Sequence, residues 1–297
     1  MRKSYLLTAL RHFSRNKLHA SINILGLGLG IMVSLLALIF LLDEKSFDQF
    51  HSKKGRLFRL NKERVNDLGE VTRNSESSGL YGPGMKDEFP EVESYTRYMP
   101  WYDEIVLSYE TSHIELKEKE SIFVDNHFLE MFDFVLLQGN RVNVLTRPST
   151  IVLTPALSEA LFHGIDPIGK KVVGLNGVEF EVTGIIEEAP RNSHIQYKAL
   201  MSFNTTTPQV GPLAFGYLNN WNTQTLTTYL LLHPGSDPKA VNQKLLAFTQ
   251  AHIPTRRNSA TEFSLAILIT LMVTLLGESI QAIKAANMNP AEALRYE

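Results

Sequence analysis

Ser21 to Leu42 reads SINILGLGLGIMVSLLALIFLL, 22 residues without a charge. A helix of this length, rising about 1.5 Å per residue, covers a hydrocarbon core of roughly 30 Å. A cleaved signal peptide has an apolar region of only about 7–15 residues, followed by a small-residue cleavage site. Here the run is longer and passes through Leu41-Leu42-Asp43-Glu44 with no A-x-A-like site. Residues 21–42 are therefore expected to be an uncleaved transmembrane helix.

The flanks give that span a direction. Arg2, Lys3, Arg11, Arg15 and Lys17 precede it with no acid among the first 20 residues, and Asp43 and Glu44 follow it. The positive-inside rule puts residues 1–20 in the cytoplasm. Tyr5, Leu6, Ala9, Leu10, Phe13 and Leu18 fall on a loose helical stripe with Arg11 and Arg15 off it. That pattern fits a basic amphipathic helix lying on the inner surface of the lipid bilayer; a plain charged flank fits it equally well. Gly26, Gly28 and Gly30 suggest a phosphate loop only superficially. They sit inside an apolar span with no G-x-G-x-x-G, and small residues that let helices approach closely are the better account.

A second apolar stretch, FSLAILITLMVTLLG from Phe263 to Gly277, has 15 residues. That length falls between a buried core helix and a span. Continuing through Ser279, Ile280 and Ala282 supplies the missing length and places Glu278 near one end. A second transmembrane helix over 263–283 is expected, which returns the tail 284–297 to the cytoplasm.

Between the spans, residues 43–262 have ordinary globular composition. A helix is expected to end at Phe89, with Pro90 breaking it before a strand. Strands are expected at Ile105–Tyr109, Ser121–Val124, Thr150–Leu153, Glu179–Ile186 and Thr227–Leu232. Helices are expected at Phe128–Phe132, Ala156–Phe162 and Pro238–His252, the last with Asp237 as N-cap and Pro238 at its first position. This mixture makes the fold class α+β.

Composition and motifs exclude more chemistry than they offer. A formal net charge of −2 gives no case for a nucleic-acid partner, and with no cysteine there is no disulfide framework, thiolate metal site or thiol nucleophile. There is no G-x-S-x-G, H-E-x-x-H, Walker A sequence or calcium loop. His51, His113, His127, His163, His194, His233 and His252 are scattered, with none at i, i+4 spacing. The adjacent acids Asp103-Glu104 and Glu187-Glu188 read as solvated. No catalytic, cofactor-binding or metal-binding residues are assigned, and the chain is not expected to be an enzyme.

Several segments taken together resemble the FtsX/MacB-type permeases of ABC transporters. ALRHFSRNKLHASINILGLGLGI is similar to that family's basic opening helix and glycine-bearing span, and LLDEKSFDQFH to its exit motif D-E-x-S-[YF]-D-x-F-H. EFPEVESYTR, VDNHFLEMFDFVLLQGN, STIVLTPALSEALFHGIDPIGKKV and FEVTGIIEEAPRNSHIQY follow the pattern of its periplasmic domain. QAIKAANMNPAEALRYE is similar to its ending. The resemblance implies a two-lobed periplasmic domain over 43–262, with an inserted lobe at about 125–195, flanked by N- and C-terminal transmembrane helices in the bacterial inner membrane. It also implies a homo- or heterodimer that binds a cytoplasmic ABC ATPase and turns ATP-driven movement into periplasmic rearrangement. The positions matching the helix near the ATPase are Arg11, Arg15, Asn16 and Lys17. The family core has one span before the periplasmic domain and three after it, so this chain reads as shortened by the second and third spans. A membrane-tethered binding or adaptor domain without ATPase coupling is the alternative.

Overall fold

The structure is a computed structural model, and it describes residues 17–65, 71–205, 218–223, 225–252 and 265–271. The chain divides into two units: residues 1–47 with 278–297, and residues 48–277.

Helix α1, Lys17–Ser46, is the described part of the first unit. Its 26 residues from Ser21 to Ser46 are long and apolar enough to cross a membrane. The apolar side chains point outward all round the helix: Leu25 is 72% exposed and Phe40 64%. A helix apolar on every side has no polar face to turn toward water. The last turn closes where charge begins, with the Ser46 hydroxyl donating to the Asp43 carbonyl at 2.7 Å.

The second unit is built on one mixed sheet. Its strands are β1 (Leu57–Val65), β2 (Val71–Asn74), β3 (Glu76–Ser77), β4 (Val92–Pro100), β5 (Ile105–Tyr109), β6 (Ser112–Leu116), β7 (Ser121–Val124), β8 (Leu136–Gln138), β9 (Thr150–Leu153), β10 (Lys171–Val173), β11 (Glu179–Ile186), β12 (Ala199–Ser202), β13 (Leu226–Leu232) and β14 (Leu265–Leu271). The order across the sheet is β14-β1-β13-β4-β7-β12-β9-β11-β10-β5-β6, with β2, β3 and β8 attached to β1, β13 and β11. Pairing is antiparallel except for β7 with β12 and β9 with β11. The helices are α2 (Tyr81–Glu88), α3 (Phe128–Met131), α4 (Pro155–Phe162) and α5 (Pro238–His252).

Alternation along the strands divides the core between the two faces. Ile122, Leu200 and Val152 lie in register on β7, β12 and β9. They bury on the face covered by Phe128, Phe132 and Phe134, together with Tyr229 and Leu231 of β13. Their chain neighbours Phe123, Met201 and Ile151 form the opposite row, joined by Met99 of β4, and pack against Leu157, Leu161 and Phe162 of α4. On that same face, α2 and α5 cover β1, β13 and β4 through Tyr81, Met85, Val241, Leu245 and Phe248. At the start of α5 the Asp237 carboxylate accepts the Lys239 N–H at 2.9 Å, the expected cap.

The expected elements from Phe89 to Phe162, and those at Glu179–Ile186 and Pro238–His252, are present. Two boundaries differ. Strands β7 and β12 flank the stretch 125–195 and pair with each other, and β5 and β6 close the far edge beyond β10. The inserted half of the sheet therefore runs from about 105 to 202 rather than 125–195. It also shares one continuous sheet with the flanking half.

The second difference concerns the expected span 263–283. Its described residues, Leu265–Leu271, form strand β14, antiparallel to β1 from Phe58↔Leu271 to Arg64↔Leu265. An apolar run of seven satisfies strand and helix patterns alike, and here the open edge of β1 takes it up. The rest of that expected span lies outside the described residues, as does the tail 284–297.

Candidate functional site

Arg11, Arg15 and Asn16 lie outside the described residues, and Lys17 is the exposed first residue of α1. Two buried titratable residues, Asp48 and His51, stand instead where the globular unit begins, just after Phe47.

Asp48 is that first residue. Its N–H donates to the Asn192 carbonyl at 2.8 Å. Its carboxylate accepts the His194 backbone N–H at 3.2 Å and the His194 Nδ1–H at 2.6 Å. The other ring nitrogen, Nε2, lies 2.8 Å from the Tyr229 hydroxyl. Tyr229 sits in the middle of β13, and burial pushes its phenol well above the ordinary range. Asp48, His194 and Tyr229 thus form a chain of charge-assisted and neutral hydrogen bonds from the membrane-proximal segment to a central strand.

Three residues on, His51 is 1% exposed. Its Nδ1 accepts the Asp133 backbone N–H at 3.1 Å, and the Asp133 carboxylate accepts the Ser52 N–H. The ring centroid lies 3.9 Å from Phe50, 5.1 Å from Phe132 and 5.3 Å from Phe134. Nε2 is buried without a hydrogen-bond partner among the described residues. Burial lowers the His51 pKa to about 4 against the pull of Asp48 and Asp133, so the ring is neutral at pH 7.

Two arginines brace these segments. Arg141 donates to the carbonyls of Leu129, Phe132 and Phe134, each at 2.8 Å, and so fixes the turn that carries Asp133. Arg97 of β4 grips the Asp125 carboxylate through Nε at 2.8 Å and Nη2 at 2.7 Å, and donates through Nη1 to the Gly79 carbonyl at 3.0 Å. Its guanidinium also lies 4.9 Å from the Phe203 ring. Asp125 follows β7, so this pair ties the flanking half of the sheet to the inserted half.

Of the acids read as solvated, Glu188 caps α4 by accepting the Ala156 N–H at 3.2 Å, and Asp103 and Glu104 are exposed. Among the described residues, no three His, Cys, Asp or Glu side chains are grouped to hold a metal ion. An open cleft of about 450 Å³ lies in the inserted half between Asn140, Asn143, Arg147 and Glu181, with the last two bridged at 2.8 Å. The junction holds and orients; its hydrogen bonds join protein to protein.

Asp48, His51, His194 and Tyr229 are not legible as a group in the sequence, because no spacing brings the scattered His51 and His194 together. The signal was present in another form: SFDQFH and RNSHI are both among the segments that carry the family resemblance.

The family model for the MacB-like periplasmic core domain matches residues 20–248. No curated protein matches the chain. Among solved structures, a domain from Porphyromonas gingivalis described as part of a permease is 23% identical, with a TM-score of 0.62; the match covers 75% of this chain and 92% of that one. The periplasmic region of MacB from Actinobacillus actinomycetemcomitans is 11% identical at a TM-score of 0.48, covering 78% of this chain and 93% of that one. The extracellular domain of the ABC-type transporter YknZ from Gram-positive bacteria is 12% identical at 0.48, covering 72% and 99%.

Proposed function

The chain belongs to the FtsX/MacB-type permeases, the family marked by the MacB-like periplasmic core domain, and from that premise we propose that it couples a cytoplasmic ABC ATPase to rearrangement of its periplasmic domain. The role is mechanical rather than enzymatic. The chain would sit in the bacterial inner membrane as one half of a homo- or heterodimer, with lipid around α1.

One observation carries this reading. The first residue of the globular unit, Asp48, is already tied through His194 to Tyr229 in a central strand. A tether needs slack between anchor and domain, and a lever needs none. Here a single residue, Phe47, separates the end of the membrane helix from that buried anchor. Within the globular unit, any displacement of Asp48 is passed to β13 through these hydrogen bonds.

The second reading, a membrane-tethered binding or adaptor domain without ATPase coupling, draws on a different observation. Leu265–Leu271 pair with β1 as a strand, so part of the apolar run that would supply a further crossing is taken into the sheet. A chain shortened by the second and third spans of its family fits that arrangement.

Co-purification separates the two readings. The detergent-solubilised chain, isolated from its own cell, is expected to retain an ABC ATPase at a fixed ratio through a second purification step. Recovery of the folded chain with no ATPase would favour the adaptor.

A further inference from the structure

The two histidines of the junction are bonded so that acid affects them in opposite ways. His194 keeps both of its bonds whatever its charge: Nδ1–H donates to Asp48 in either state, and the Tyr229 hydroxyl can donate to a bare Nε2 or accept from a protonated one. His51 has no such freedom. Its Nδ1 accepts from a backbone N–H, which can never act as an acceptor. A proton on that nitrogen would set N–H against N–H. The alternative position, Nε2, already carries the proton of the neutral ring and is buried without a partner among the described residues.

We propose that His51 is a proton-operated release, whose protonation breaks its own bond to the turn carrying Asp133 and loosens that turn, while His194 holds the His51 segment on β13. The Ser52 N–H and the Lys53 ammonium still hold the turn through the Asp133 carboxylate and the Glu130 carbonyl. The claim rests on geometry first: the bond is lost on protonation whatever the pH at which it occurs. The groups facing the ring come from each element around it. Asp48 lies on its own segment, Asp133 lies on the turn with the Phe132 and Phe134 rings, and His194 lies on the loop before β12. Burial outweighs the two carboxylates and keeps the ring neutral until the pH falls well below the ordinary histidine value. Because the pKa is lowered in the closed state, the closed form is fully stable above about pH 6.5 and weakens progressively as pH falls toward 4. This inference concerns the junction alone and holds whether or not an ATPase is bound.

Amide hydrogen exchange on the full chain in detergent, corrected for the intrinsic pH dependence of exchange, tests it. With an open-state pKa near 6.5, the closed form loses about twentyfold in its opening equilibrium between pH 7 and pH 5. The Asp133 amide should lose protection by that factor, and the Val152 and Leu200 amides in mid-sheet should keep theirs. In His51→Gln, whose side-chain oxygen accepts the same N–H without titrating, the pH dependence should vanish. If His51→Gln does not fold, the ring nitrogen shifts of wild-type His51 supply the second readout, since protonation and loss of Asp133 protection must share one midpoint. Unchanged Asp133 protection at pH 5, equal loss in mid-sheet, separate midpoints or the same pH response in His51→Gln would each overturn the proposal.

Discussion

Replacing Asp125 with alanine is expected to lower the unfolding free energy of the globular domain by roughly 3–5 kcal/mol, the scale for stripping one partner from a buried ion pair. The Arg97 and Asp125 side chains are 16% and 8% exposed, so water can do little for a guanidinium left alone. The substitution also removes the acceptor for the Arg97 backbone N–H, bonded to the same carboxylate at 2.7 Å. Arg97 would keep the Gly79 carbonyl and the Phe203 ring, neither of which neutralises it. Denaturant unfolding of the full chain in detergent, followed by circular dichroism, measures the loss. The double replacement Arg97→Met with Asp125→Leu is expected to recover most of the stability, because an apolar pair of similar size leaves no charge behind. A loss below about 1 kcal/mol for the single variant would mean that the pair is hydrated in solution.

Reversing Arg11 and Arg15 to glutamate is expected to abolish ATPase co-purification while α1 still inserts. The family resemblance implies that these positions, with Asn16 and Lys17, belong to a helix beside the ATPase, and the prediction rests on that proposal. The competing account is that the charges only set orientation and hold anionic headgroups, at about 1 kcal/mol per basic residue. On that account the double reversal weakens or inverts insertion, and any bound ATPase stays. Measuring insertion and ATPase yield on the same variant separates them: intact insertion with an unchanged yield would refute the contact.

The elements legible in the sequence were those with a strong local signature. Ser121–Val124 and Thr150–Leu153 are short runs buried on both faces, and both are strands. Asp237-Pro238 marks a helix start by chemistry alone. Strand β1 was not legible, because LFRLNKERV mixes Arg, Lys and Glu into a half-covered strand whose apolar residues fall at its start. Strand β10, three residues with Val172 buried between exposed neighbours, is too short to show a period. The breadth of the inserted half was hidden for a different reason. Sequence shows β7 and β12 some 75 residues apart, and only the pairing Leu200↔Ile122 makes them neighbours.

The candidate site was legible only as a resemblance. Asp48 and His51 stand in one family-like segment and His194 in another, yet their chemistry depends on contacts across about 145 residues that no spacing rule reaches. Leu265–Leu271 shows the converse limit. An apolar stretch leaves open whether it crosses lipid as a helix or pairs at a sheet edge as a strand.

The proposed coupling runs through Asp48, His194 and Tyr229. The most direct measurement is amide exchange on the chain co-purified with its ATPase, compared between bound ATP and bound ADP. The account predicts that protection changes at Asp48 and at His194, whose amides donate to Asn192 and Asp48, while the Val152 and Leu200 amides stay constant. Identical protection at Asp48 and His194 in the two nucleotide states, with the ATPase bound and turning over, would contradict it.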